Sequence, residues 1–182
     1  MTPCGYEDFL AVLKVGVAAP YYLTQRFLPY FNSGGCVVNL SSTRAVQSQE
    51  NTESYTAAKG GVAALTHAMA VSLAGRVRVN AIAPGWIDTG AYYREGYVPG
   101  DSPADRRQHP SGRIGVPEDI ARTALFLCDE ENSFINGGNI TVDGGMTKLM
   151  VYHNDCGWKY RPKNSGKKGA AVGGENAAFF YT

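Results

Sequence analysis

The sequence predicts an α/β fold built on a parallel sheet. Three observations carry that expectation: short β-branched apolar runs, longer segments of helical period, and the alternation of the two along 182 residues. Such alternation calls for right-handed crossovers, because a strand feeding a helix packs back onto its own sheet with that hand.

Residues 6–31 place Phe9, Leu10, Leu13, Val17 and Tyr21 at helical spacing, with Gly16 and Pro20 predicting a break or bend. NSGG at 32–35 is a turn. CVVNLSS at 36–42 is nearly continuous in apolar character, as expected of a strand buried on both faces. A polar loop spans 43–53, and an Ala-rich helix follows over 54–74, headed by SYTAAKG. RVRVNAIAPG at 76–85 is a second strand stopped by Pro-Gly. Residues 90–111 show no clean period and are expected to form a loop with one short helix. Pro117 suits the first position of a helix that runs to about Cys128. NITVDGG at 139–145 is the third strand, with a glycine stop.

The chain is long enough for one domain with a core, placed at 1–150, followed by an extension at 151–182. From about Gly157 the composition shifts: Lys159, Arg161, Lys163, Lys167 and Lys168 face a single acid, Glu175. The stretch reads either as an arm for an anionic ligand or nucleic acid, or as a solvated, poorly ordered terminus. No nucleic-acid-binding motif accompanies it, which favours the second.

Composition is that of an ordinary globular chain, 44% hydrophobic and 18% charged. A net charge of +1 gives no bulk attraction to nucleic acid or to an anionic membrane. The most apolar window, FLAVLKVGVAAPYYLTQRFL, carries Lys14 and Arg26, so a buried helix with a solvated edge is expected there rather than a membrane span. MTPCGYEDFL has no basic n-region of a signal peptide. The four cysteines are scattered without a C-x-x-C pair, as free thiols of a reducing cytoplasm would be. His67, His109 and His153 are too dispersed for a metal site.

The chemistry-bearing pattern lies at the head of the second helix. Tyr55 and Lys59 are four apart, so they share a helix face about 6 Å apart at Cβ. A free phenol titrates near 10, so proton exchange near pH 7 asks for roughly 4 kcal/mol of preference for the phenolate. A neighbouring ammonium supplies part of that, and a bound nicotinamide cation could supply more. Taken alone, the pair also fits an ordinary surface contact on an amphipathic helix. Ser42 changes the balance: it ends a buried strand, where open α/β sheets present their ligands.

The ordered set NLSS, a twelve-residue spacer, YTAAK, VRVNAIAPGWIDT, GRIGVPEDIA and INGGNITVDGG resembles the short-chain dehydrogenase/reductase family over about residues 6–147. The resemblance implies a Rossmann-like doubly wound parallel sheet and an oxidoreductase that interconverts alcohol and carbonyl groups with NAD or NADP. It implies Tyr55 as proton donor and acceptor, and Ser42 as the hydroxyl that holds the substrate oxygen. Lys59 would tune Tyr55 and hydrogen-bond the nicotinamide ribose. Pro84, Gly85, Ile87 and Thr89 would seat the nicotinamide carboxamide. Arg113 and Asp143 match positions that are mainly structural. Asp88, a loop carboxylate, is expected to cap rather than catalyse. Helices 6–31 and 54–74 match those that pair in homodimers and homotetramers of the family. The implied partner is a small-molecule alcohol or carbonyl substrate, with neither nucleic acid nor membrane.

Two features depart from the family. VGVAAP at 15–20 puts Gly16 where an asparagine holds a water beside the lysine, and glycine has no side chain to do so. The family's opening strand and T-G-x-x-x-G-x-G turn, with the residue that selects between NAD and NADP, have no match here. The expected fold is therefore an N-terminally truncated sheet of about three strands, whose apolar edge at CVVNL needs a cover. A catalytically impaired homologue that acts as a dimerising subunit is the competing expectation. A basic-tailed binding module is a third, resting on residues 159–168 alone.

Overall fold

The structure, a computed structural model, describes residues 4–158. The basic stretch at 159–168 lies outside the described residues. The chain divides into two units, Met1–Leu149 and Met150–Thr182.

In the first unit, three parallel strands form one sheet in the order β1-β2-β3: β1 (Gly35–Leu40), β2 (Val77–Pro84) and β3 (Asn139–Val142). The register pairs Gly35 with Val77 and Leu40 with Ile82, then Ala81 with Asn139 and Pro84 with Val142. Among the described residues only β2 has neighbours on both sides, and Val77, Val79, Ala81, Ile82 and Ala83 on it are all buried. Each of the valines and the isoleucine contributes about 1.5–3 kcal/mol when fully buried, and each alanine less. Among the described residues the outer edge of β1 is unpaired, and Leu40 there is 52% exposed.

Helix α3 (Glu53–Ser72) covers one face of the sheet. Its buried residues Ala58, Val62, Thr66, Met69 and Ala70 recur at helical spacing, and the last two pack on Val77 and Val79. On the same side Asn39 donates to Thr66 Oγ1 at 3.0 Å, and Thr66 donates to the Val62 carbonyl at 2.8 Å, so this buried polar pair is satisfied. The residues of opposite parity, Cys36 and Arg78, turn to the other face, toward α6 (Pro117–Cys128) and the turn after it.

The segment 6–31 is helical but broken, as Gly16 and Pro20 predict. Helix α1 (Tyr6–Leu13) passes into one π-helical turn (Lys14–Ala18) before α2 (Ala19–Phe27). The cause is local. Pro20 has no N–H for the carbonyl four residues back, and the turn widens so that Ala19 N–H donates to Lys14 O. The strands expected at 36–42 and 139–145 each end sooner, since Ser42 starts a 3₁₀ turn and Asp143 caps the next one. Residues 90–111 hold two short helices rather than one, α4 (Gly90–Tyr93) and α5 (Pro103–Arg107). The second is nucleated by a reciprocal cap in which Asp105 N–H donates to Ser102 Oγ at 3.2 Å and Ser102 N–H to Asp105 at 2.8 Å. No helix among the described residues is long and apolar enough to cross a membrane.

Candidate active site

The end of β1 and the first turns of α3 are tied together by their own polar groups. Ser41 Oγ donates to the Lys59 carbonyl at 3.0 Å, and Lys59 Nζ donates to the Leu40 carbonyl at 3.0 Å. Ser41 N–H stays on the sheet, donating to Ile82 O at 2.8 Å. Lys59 is thereby held at both ends, and burial lowers its ammonium pKa below the ordinary value. Next in the chain, Ser42 is buried in an extended conformation, and its Oγ accepts from Arg44 N–H at 3.2 Å.

That bond starts a 3₁₀ turn (Thr43–Ala45) that swings Arg44 over α3. The Arg44 guanidinium lies 5.6 Å from the centre of the Tyr55 ring, and Lys59 Nζ lies 5.6 Å from the same point. The half-buried phenol therefore sits in the field of two cations. Arg44 is itself held by Gln49, and Ser48 Oγ meets Thr56 Oγ1 at 3.1 Å, which moors the loop to the head of α3.

The second loop leaves the same edge of the sheet. Leu40 is the last residue of β1 to pair with β2, on Ile82, and Pro84 ends β2 two residues beyond that pair. Gly85 N–H donates to Val142 O at 3.0 Å. A Cβ on Gly85 would stand 2.6 Å from that of Asp143, so only glycine lets the chain turn there. Ile87 forms a parallel bridge with Gly115, and Thr89 leads into α4. The structure thus ties Lys59 to the end of β1 through Ser41 and Leu40, with the Tyr55 ring beside Lys59 and Ser42 next along the chain, while Pro84–Thr89 lead out of the neighbouring strand β2.

A cavity of about 190 Å³ opens beside Ser42, lined by Thr43, Val46, Ala83, Thr141 and Lys148 among others. Among the described residues no group of three or more His, Cys, Asp or Glu is placed to hold a metal ion. The remaining flagged side chains have structural work. Asp88 caps α4, accepting from Gly90 N–H at 2.9 Å and from Tyr97 Oη at 3.0 Å. Arg113 grips Asp119 with two bonds of 2.7 and 2.8 Å. Asp143 accepts from Gly145 and Thr147 N–H. His109 is packed, 2% exposed, against Trp86.

Three contributors escape a reading of the sequence: Arg44, Ser41 and the Leu40 carbonyl. The only signal is position, since all three flank Ser42 at a strand end.

The profile of the family described as Enoyl-(Acyl carrier protein) reductase matches residues 1–147. An uncharacterised oxidoreductase of Thermotoga maritima is 44% identical over 154 residues, which is 80% of this chain and 59% of that protein. A solved SCOR enzyme from Clostridium thermocellum in apo form superposes with a TM-score of 0.76 at 43% identity, over 87% of this chain and 61% of that one. A 4-hydroxyisoleucine dehydrogenase complexed with NADH gives 0.69 at 27% identity, over 81% and 63% respectively. The chain belongs to the short-chain dehydrogenase/reductase family. It spans about three fifths of the length of these relatives.

Proposed function

We propose that this chain is an NAD(P)-dependent oxidoreductase that interconverts an alcohol and a carbonyl group, with Tyr55 as the proton donor and acceptor. One observation carries the reading: Lys59, fastened to Leu40 and Ser41, is held 5.6 Å from the Tyr55 ring while Arg44 stands at the same distance. Both cations thus stand beside the phenol that would exchange the proton. Ser42 Oγ accepts from Arg44 N–H through one lone pair, and its hydroxyl proton is the group that would hold the substrate oxygen.

The residues fit the nicotinamide end of the cofactor. Lys59 has three donors and spends one on Leu40, so two remain for ribose hydroxyls. Pro84, Gly85, Ile87 and Thr89 occupy the neighbouring strand end, where a carboxamide would be met by backbone groups. When bound, NAD or NADP supplies or accepts the hydride at the substrate carbon. Tyr55 exchanges the proton with the substrate oxygen.

The chain assembles as a homodimer or homotetramer through 6–31 and 54–74. Tyr21, Tyr22, Leu23 and Phe27 on α2 are 51–57% exposed, an apolar patch that self-association would cover. The unpaired thiols among the described residues, Cys4, Cys36 and Cys128, suit a cytoplasmic location.

Fluorescence titration with NADH and NADPH tests the reading. Saturable binding by the chain that weakens in Lys59→Met is the expected result. A folded dimer that ignores both cofactors would overturn it and leave a non-catalytic subunit.

A further inference from the structure

Cys36 and Cys128 meet across one packing seam, at the end of β1 remote from Ser42. Cys36 sits on the α6-facing side of β1, and Cys128 is the last residue of α6. Cys36 Sγ donates to the carbonyl of Leu127, the residue before Cys128, at 3.4 Å. Leu127 is fully buried, so this end of α6 is fixed against the sheet rather than free to swing away. Neither thiol is in a disulfide; Cys128 is exposed and Cys36 half-buried. Cys128 directly follows Leu127, so the carbonyl that the Cys36 thiol meets belongs to the peptide bond leading into Cys128.

We propose that Cys36 and Cys128 form a dithiol modification site, which a hydroperoxide closes to an intramolecular disulfide. The exposed thiol meets the oxidant first. Burial, and next the neighbouring Cys128 thiol, raise the pKa of Cys36 to about 11, so at neutral pH Cys36 waits as a protonated thiol. The Cys128 thiolate attacks the peroxide, the O–O bond breaks, and Cys128 becomes a sulfenic acid as hydroxide or alkoxide departs and takes up a proton. Cys36 sulfur then attacks Cys128 sulfur. The S–S bond forms, the S–O bond breaks, and the departing hydroxide takes the proton that Cys36 releases. Two electrons have left the dithiol, and the peroxide is reduced to water and, from an organic hydroperoxide, an alcohol. A dithiol reductant reverses the step by thiol–disulfide exchange.

The experiment treats the full chain with hydrogen peroxide, alkylates the remaining thiols after denaturation and maps the peptides by mass spectrometry. The expected product joins the Cys36 and Cys128 peptides within one chain, lighter by two hydrogens, and dithiothreitol dissolves the link. In Cys36→Ser, Cys128 is expected to stop at the sulfenic acid and to be captured by dimedone. Separate oxidation of the two thiols without a link, or a link found only between chains, would overturn the proposal.

Discussion

Lys59 reaches back from α3 to the carbonyl of Leu40 at 3.0 Å, while Ser41 Oγ reaches forward to the carbonyl of Lys59 at the same distance. This pair of bonds fixes the lysine relative to the strand that carries Ser42. A lysine on an exposed face would sample many rotamers, at a cost of up to about 2 kcal/mol to order. Here that cost is met in folding, before any ligand arrives.

Lys59→Met is expected to lower kcat/KM by roughly 10²–10⁴-fold, the usual scale for losing a group that supports proton transfer. The same variant changes the response of stability to pH. Burial lowers the folded-state Lys59 pKa, so the folded chain binds fewer protons than the unfolded one in the window from that lowered value up to about 10.4. Stability therefore gains from Lys59 as pH rises through that window. Urea denaturation across it should show a flatter profile in Lys59→Met, and an unchanged slope would refute the assignment.

Gly16 makes a different kind of contact. A Cβ placed on it would stand 2.7 Å from the Cβ of Ala58, which is 2% exposed and cannot retreat. Gly16→Ala gains at most about 1 kcal/mol of helix propensity, whereas overpacking a closed contact costs about 1–3 kcal/mol. The clash should win. Ala58→Gly in the same chain is expected to recover most of the loss, so the two effects are non-additive. Gly16→Asn should destabilise at least as much as Gly16→Ala rather than restore a water-holding amide. Additive urea-denaturation values for the Gly16 and Ala58 changes would refute the contact.

The strands and helices were legible from their apolar and alanine-rich runs, but burial on both faces was not. Only β2 is buried along its length. In contrast β1, expected to be, is half-exposed because its outer edge is unpaired among the described residues, and β3 is largely exposed. That Tyr55 and Lys59 share one face of α3 was legible by spacing. Arg44 was not. Its place over Tyr55 depends on a 3₁₀ turn set by one bond from its own N–H to Ser42, and no periodicity signals such a turn. The π-helical turn was legible only as a break, since Pro20 announces a missing donor without saying how the chain will adapt. The split of 90–111 turned on Ser102 and Asp105, a three-residue cap inside a stretch without a hydrophobic period.

Arg44→Met separates the two cations around Tyr55. Arg44 is anchored only in the loop, and an exposed cation–π contact is worth about 0.5–1 kcal/mol. The expected loss in kcat/KM is therefore about 2- to 5-fold, far below that of Lys59→Met. The melting temperature should stay close to wild type. Equal losses for the two variants would refute this ranking and show that Arg44 matters as much as Lys59 at the phenol.

Asp119 supports the site from outside it. Its carboxylate accepts from both arms of Arg113 and from Val116 N–H, which pins the start of α6 and, through Gly115, the bridge to Ile87. The Arg113 guanidinium holds its pKa well below the usual carboxylate range. A depressed carboxylate contributes stability above its unfolded value, about 3.9, and that contribution is lost as pH falls from there toward the folded-state value. The Asp119 side chain is only 17% exposed, so solvent screens the pair less than at an open surface, although Arg113 at 57% remains wet. Asp119→Asn keeps the shape and removes the charge. It is expected to cost up to about 1.5–3 kcal/mol at pH 7, the range for hydrogen bonds to a charged group, with the wet Arg113 side keeping it toward the lower end. The gap should narrow when the two proteins are compared by urea denaturation at acid pH, because wild-type Asp119 is then giving up its charge as well. A gap that persists undiminished under acid would mean that geometry, rather than charge, is what Asp119 brings to the head of α6.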